Sequence, residues 1–245
     1  KAVLCDWSGN SEHKGALITL VDLSTMTLCK RQPEPLFYFP SGATFHPTKP
    51  IVYVSCFTGN FLYKMNVYDF SVDSITLQSH DDINFNGSKF RPGMIRIFPD
   101  AARYAVVCEK SNEVRIFNIE SDEIIAIIET GKHPQEIAFS KHHDFFAISC
   151  MEDDRYSQGK GSVMIVSTTD YSVKKQLYTG YQPRALVADD VHNRFVVANR
   201  DADPTGADAP HHYTSCEGNN GYITFIDMST LELVEGYKLE VSVDP

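Results

Sequence analysis

His211 and His212, followed by Cys216, come closest in this chain to a metal-binding set by type and spacing. Imidazole and thiolate donors in so short a span suit zinc or copper where the backbone turns them inward. They sit in the longest turn-rich stretch, RDADPTGADAPHHYTSCEGNNG, from Arg200 to Gly221. Adjacent residues of a strand point opposite ways and a fourth ligand is not evident, so ordering of the loop, or contact with a ligand, competes with metal binding. Asp201, Asp203 and Asp208 offer oxygen ligands for calcium without the spacing of an EF-hand. A second set flanks prolines: Arg91, His133 and Gln182 stand just before one, Gln135 and Arg184 just after. The guanidinium forks of Arg91 and Arg184 fit an anionic ligand group, and capping of strand ends or pairing with nearby carboxylates is their competing role.

Other chemistry leaves no signature. The chain has no haem-attaching Cys-x-x-Cys-His, no Gly-x-Ser-x-Gly elbow and no Walker-type loop. His133 with Arg184 has the residue types of a base and a polarising group for lactone hydrolysis, but no motif accompanies them. With 22 Lys plus Arg against 32 Asp plus Glu, the net charge of -10 disfavours nucleic acid as a partner. No apolar run approaches the roughly 18 to 20 residues that span a bilayer.

Both candidate sets need a scaffold, and the chain is written in repeats. The stretch TGKHPQEIAFSKHHDFFAISC, Thr130 to Cys150, reads as a proline crossing, an apolar strand, a polar turn and a second apolar strand. Copies begin at Phe39, Arg91 and Gln182, and after each come two more strands joined by a short turn, as in EVRIFNI, ESDE, IIAIIETG. The prolines Pro40, Pro92, Pro134, Pro183 and Pro245 recur at intervals of 52, 42, 49 and 62 residues. Such periods match the roughly 40 to 50 residues of a propeller blade, with loop insertions in the longer units. Strands such as IVYVSC and YAVVC are apolar almost throughout, as expected of sheets covered on both faces. The expectation is an all-β, single-domain β-propeller of four-stranded antiparallel blades: five blades and nineteen strands, the first blade lacking its first strand and the natural chain continuing beyond at least one end to close the ring.

The succession HPQEIAFSKHHDFFAISC, GSVMIVSTTDYSVKKQLYTG resembles the YVTN-type β-propeller repeat. Its usual form is a Pro-x-x-(Ile/Val)-Ala-(Phe/Val) strand, a Tyr-Val-(Ala/Ser)-Asn-like strand, a Val-x-Val-Ile-Asp strand and a Thr-Gly ending. RFVVANR and YITFIDMST match closely, whereas cysteines replace the usual Asn and Ser167 stands where Asp is expected. The resemblance covers essentially the whole chain. It implies the fold and leaves function open, because such repeats occur in binding modules, cell-surface proteins, lactonase-like enzymes and cofactor-bearing oxidoreductase relatives.

Repeat register then sorts the residues. Cys5, Cys56, Cys108 and Cys150 each end a second strand and are expected to be small structural side chains pointing alike, a soft-metal thiol ring being the weaker alternative. Cys29 and Cys216 fall outside that register. His46, His142, His143 and His192 fall in turns between first and second strands and are expected to be solvated. His13, His80, His133, His211 and His212 belong to the opposite blade end, where the crossings and all long insertions gather. A ligand site is sought there, around Arg91, His133, Gln182, Arg184 and Arg200. The favoured function is a non-enzymatic binding or scaffold module presenting that face to a protein or small ligand. The alternative is a lactonase-like hydrolase or metal-dependent oxidoreductase at the propeller mouth. The resemblance favours the periplasm or cell surface, and the cysteines are also compatible with a reducing cytoplasm.

Overall fold

The computed structural model describes residues 1–6, 17–32, 39–79, 89–156, 160–200, 221–236 and 238–241. Every regular element among them is a strand. The first sheet holds β1 (Ala2–Asp6), β2 (Leu17–Asp22) and β3 (Thr27–Gln32). The second holds β4 (Pro40–Phe45), β5 (Ile51–Cys56), β6 (Phe61–Asn66) and β7 (Val72–Thr76). In the third are β8 (Pro92–Ile97), β9 (Arg103–Cys108), β10 (Glu113–Asn118) and β11 (Ile124–Glu129). The fourth comprises β12 (Lys132–Phe139), β13 (Phe145–Glu152), β14 (Lys160–Ser167) and β15 (Val173–Tyr181). The fifth begins with β16 (Pro183–Asp189), β17 (Arg194–Asn199) and β18 (Tyr222–Asp227).

Strands follow one another across each sheet in chain order, giving the expected meander of a propeller blade. The last blade departs from expectation. LVEGYKLEV does not form one fourth strand but two short pieces, β19 (Glu232–Leu233) and β20 (Leu239–Glu240), both paired with β18. A turn at Glu235 and Gly236 separates them, with Gly236 at φ 76°, a conformation that costs glycine little.

The residues fall into two compact units, Lys1–Ser111 with Arg115–Ile127, and Asn112–Val114 with Ile128–Pro245. The first contains the first two sheets and most of the third; the second contains the fourth and fifth. Within each unit the core lies between neighbouring sheets. Alternate residues of β5 serve different neighbours: Val52, Val54 and Cys56 pack with Ile18 and Leu20 of the first sheet, while Tyr53 packs with Tyr104 and Val106 of the third. Burial on both faces explains why IVYVSC reads as a continuous apolar run. In the second unit Phe145 and Ala147 meet Phe195 and Val197 in the same manner.

Side-chain caps close the turns. At the ends of β2, β6, β10, β14 and β18, Asp22, Asn66, Asn118, Ser167 and Asp227 each accept the backbone N–H two residues on, at 2.8 to 3.2 Å. Ser167 thus does the work of the expected Asp. Each turn then passes through a left-handed residue: Met26, Phe70, Asp122, Tyr171 and Leu231, at φ 53° to 63°. A short oxygen-bearing side chain two residues before the turn's apex is therefore required by the hairpin itself.

Pairing also corrects one cysteine. Pro40, Pro92 and Pro134 lie opposite Cys56, Cys108 and Cys150, and Pro183 opposite Asn199. Cys5, however, pairs with Ile18, as Ser55 pairs with Leu62, each partner lying four residues before its turn cap. It occupies the serine register, one residue short of the others, and a one-residue offset turns a side chain to the other face of its sheet.

Candidate functional site

The four described crossings share one construction. Phe39, Arg91, His133 and Gln182, each preceding a proline, adopt left-handed backbone at φ 51°, 54°, 51° and 43°. The first strand then slips by a β-bulge against the second, between Pro40 and Gly42, Pro92 and Ile95, Pro134 and Glu136, and Pro183 and Ala185. Left-handed backbone costs a residue other than glycine about 1–2 kcal/mol. Because Phe, Arg, His and Gln all bear that cost at one register position, it belongs to the crossing and not to any one side chain. Backbone bonds close three of them: Phe57 N–H to the Phe39 carbonyl at 2.9 Å, Glu109 to Arg91 at 3.2 Å and Arg200 to Gln182 at 3.3 Å.

Bulges re-aim side chains, and Gln135 and Arg184 are the extra residues of theirs. Neither the bulges nor the left-handed residues were anticipated from sequence. The signal available was a polar residue right after three of the four crossing prolines, Ser41, Gln135 and Arg184. The joint beneath each bulge is polar too. Ser149 Oγ donates to the Arg184 carbonyl at 2.8 Å and accepts the Glu136 N–H at 3.2 Å. In the first unit Ser55 Oγ donates to the Gly93 carbonyl at 2.5 Å, and Ser41 Oγ to the Pro92 carbonyl at 2.7 Å. Ser55 and Ser149, one residue before Cys56 and Cys150, therefore each fasten one blade to the first strand of the next.

The candidate residues differ in availability. In the first unit, Arg91 lies over the Phe57 ring at 4.4 Å, with a guanidinium nitrogen 3.5 Å from Glu109 Oε1. This is the pairing role weighed against ligand binding. In the second unit, the His133 N–H donates to Asn112 Oδ1 at 2.9 Å, and Gln135 Nε2 donates to the His133 carbonyl at 3.2 Å. Gln182 and Arg200 are only 1% and 2% exposed, whereas Arg184 is exposed. Beside His133, Lys132 Nζ sits 2.6 Å from Asp154 Oδ1, and that hydrogen bond raises the lysine's pKa. The half-buried His133 and Gln135 and the exposed Arg184 are thus the candidates of the second unit with accessible surface.

Thiol chemistry is suppressed at the second-strand cysteines. Cys56, Cys108 and Cys150 are buried, and burial pushes the Cys150 thiol up to about 12 and the half-buried Cys5 thiol up to about 11. No group of three or more His, Cys, Asp or Glu side chains among the described residues is arranged to hold a metal ion. His211, His212, Cys216 and the aspartates Asp201, Asp203 and Asp208 lie outside the described residues, as do His13 and His80.

Of the four turn histidines, His142 and His192 are exposed, and His143 is half-buried, stacked on Phe145 at 4.8 Å. His46 is not solvated: it is 5% exposed, and its Nδ1 caps its own turn. Its burial depends on Tyr53 stacking beside it and on the neighbouring blade's turn, neither of which local sequence reveals.

No family model matches the chain, and no curated protein does. Among solved structures it is similar to Kuenenia stuttgartiensis hydrazine synthase, with a TM-score of 0.68 and 14% identity. The likeness is one of fold. It covers 90% of this chain and 58% of that one, so this chain spans little more than half the length of the structure it matches. No helix of the described residues is long and apolar enough to cross a membrane.

Proposed function

We propose that the chain is a binding or scaffold module of the YVTN-repeat type, presenting the blade ends that carry its crossings to a protein or small ligand. One observation carries this reading. The crossing backbone is the same at all four described crossings, down to the left-handed residue and the bulge, while the side chains beside the proline vary from Phe39 and Ser41 to His133, Gln135 and Arg184. A constant, hydrogen-bonded frame with variable side chains suits recognition, because little conformational entropy is lost when a partner docks on it. The resemblance that supports this reading also favours export to the periplasm or cell surface.

A photo-crosslinking residue placed at Arg184, on the crossing end of the fifth blade, is expected to capture the partner in cells. The same residue at Val191, 89% exposed in the turn at the other end of that blade, is expected not to. Equal capture at both positions, or capture at Val191 alone, refutes the assignment of the binding face.

A further inference from the structure

His46 follows β4 at the position held by Ser140 after β12 and by Asp189 at the end of β16. All three cap the turn between first and second strands. Ser140 Oγ accepts the His142 N–H at 3.2 Å, and Asp189 Oδ1 accepts the His192 N–H at 3.2 Å. His46 does so with a ring nitrogen: Nδ1 accepts the N–H groups of Thr48 at 3.1 Å and Lys49 at 2.9 Å. A ring nitrogen accepts only when it carries no proton. Two donors at Nδ1 therefore put the imidazole's single proton on Nε2, which is buried without a hydrogen-bond partner.

The surroundings leave no place for an imidazolium. Tyr53 of β5 stacks beside the ring at 6.1 Å. Lys49, from the turn itself, is bonded to Glu120 Oε2 at 2.5 Å. Lys64 of β6 pairs with Asp122, whose Oδ1 also accepts the Tyr104 hydroxyl of β9 at 3.2 Å. The two ammonium groups and two carboxylates around the ring are thus paired with one another. Burial is the main cause lowering the pKa of His46, and Lys49 adds to it, while Glu120 and Asp122 oppose it.

We propose that His46 is an acid-sensitive latch: protonation turns Nδ1 from acceptor to donor, expels the Thr48 and Lys49 N–H groups, and frees the β4–β5 turn, with Lys49, from Glu120 in the β10–β11 turn. The hydroxyl of Ser140 and the carboxylate of Asp189 still accept hydrogen bonds in mildly acidic solution, so their turns lack this response. Because the folded ring resists protonation, the open turn binds the proton more readily. The latch is fully closed above the ordinary histidine pKa of about 6.5 and is lost as pH falls below it.

Amide hydrogen exchange of Thr48 and Lys49, followed from about pH 7.5 to about pH 5, tests this together with nitrogen NMR of the imidazole. Relative to intrinsic exchange, protection of these two amides is expected to fall by about tenfold per pH unit below about 6.5, until the folded ring itself titrates. The His142 amide, capped by the Ser140 hydroxyl, is expected to show no such step. His46→Asp, and independently His46→Ser, should keep the turn protected and abolish the step. A flat wild-type profile overturns the latch, as does a step that survives in His46→Asp or His46→Ser. Should neither variant fold, the wild-type tautomer decides: an Nε2-protonated ring at neutral pH upholds the latch, and an Nδ1-protonated ring overturns it.

Discussion

Ser149→Ala tests the joint that holds a crossing in place. Ser149 is fully buried, and its hydroxyl serves two backbone groups, donating to the Arg184 carbonyl and accepting the Glu136 N–H. Alanine fits the space and removes both bonds. The Glu136 N–H is then left without this partner in the interior, at about 1–3 kcal/mol, while the partly exposed Arg184 carbonyl loses about 0.5–1.5 kcal/mol. A total near 2–3 kcal/mol, divided by a urea dependence of about 2–3 kcal/mol per molar, moves the unfolding midpoint down by about 1 M. Urea titration followed by circular dichroism reads that shift, and amide exchange at Glu136 locates it. Ser149→Cys, a weaker hydrogen-bonding group of similar shape, should fall between the two. A midpoint shift below about 0.2 M for Ser149→Ala would refute the claim that this hydroxyl fastens one blade to the next.

Two further outcomes follow from packing. A Cβ on Gly161 would lie 2.3 Å from the Cys150 carbonyl oxygen and 2.4 Å from Pro183 Cδ, whereas one on Gly93 would meet nothing closer than a Val107 methyl at 3.9 Å. Gly161→Ala should therefore cost about 3 kcal/mol or more and Gly93→Ala should stay within about 1 kcal/mol of wild type in the same titration. Alkylation of the native protein at mildly alkaline pH, read by mass spectrometry, should label the half-buried Cys29 well before Cys56, Cys108 or Cys150, whose buried thiols become reactive only on unfolding.

Much of the architecture was legible in the chain because blade structure is local. Apolar runs flanked by turn residues mark the strands, and the prolines mark where each blade begins. Ser167 shows how chemistry outranks a consensus letter, since any short side-chain oxygen caps that hairpin. The candidate site was legible only as positions. Arg91, His133, Gln182 and Arg184 flank the crossing prolines, but which of them is buried, paired or displayed depends on the adjoining blade.

By itself the sequence determined the all-β class, the meander order, the strand count of all but the last blade, and the register that gathers the prolines. Those follow from short, nearly continuous apolar runs and turn chemistry within about forty residues. Only tertiary structure decided that each of the four described crossings is left-handed and bulged, that Cys5 sits one residue out of register, that the final strand is broken at Gly236, and that His46 is buried. Each of these is set by strand pairing or by a neighbouring sheet, and a repeat pattern records what a blade is made of without recording what presses against it.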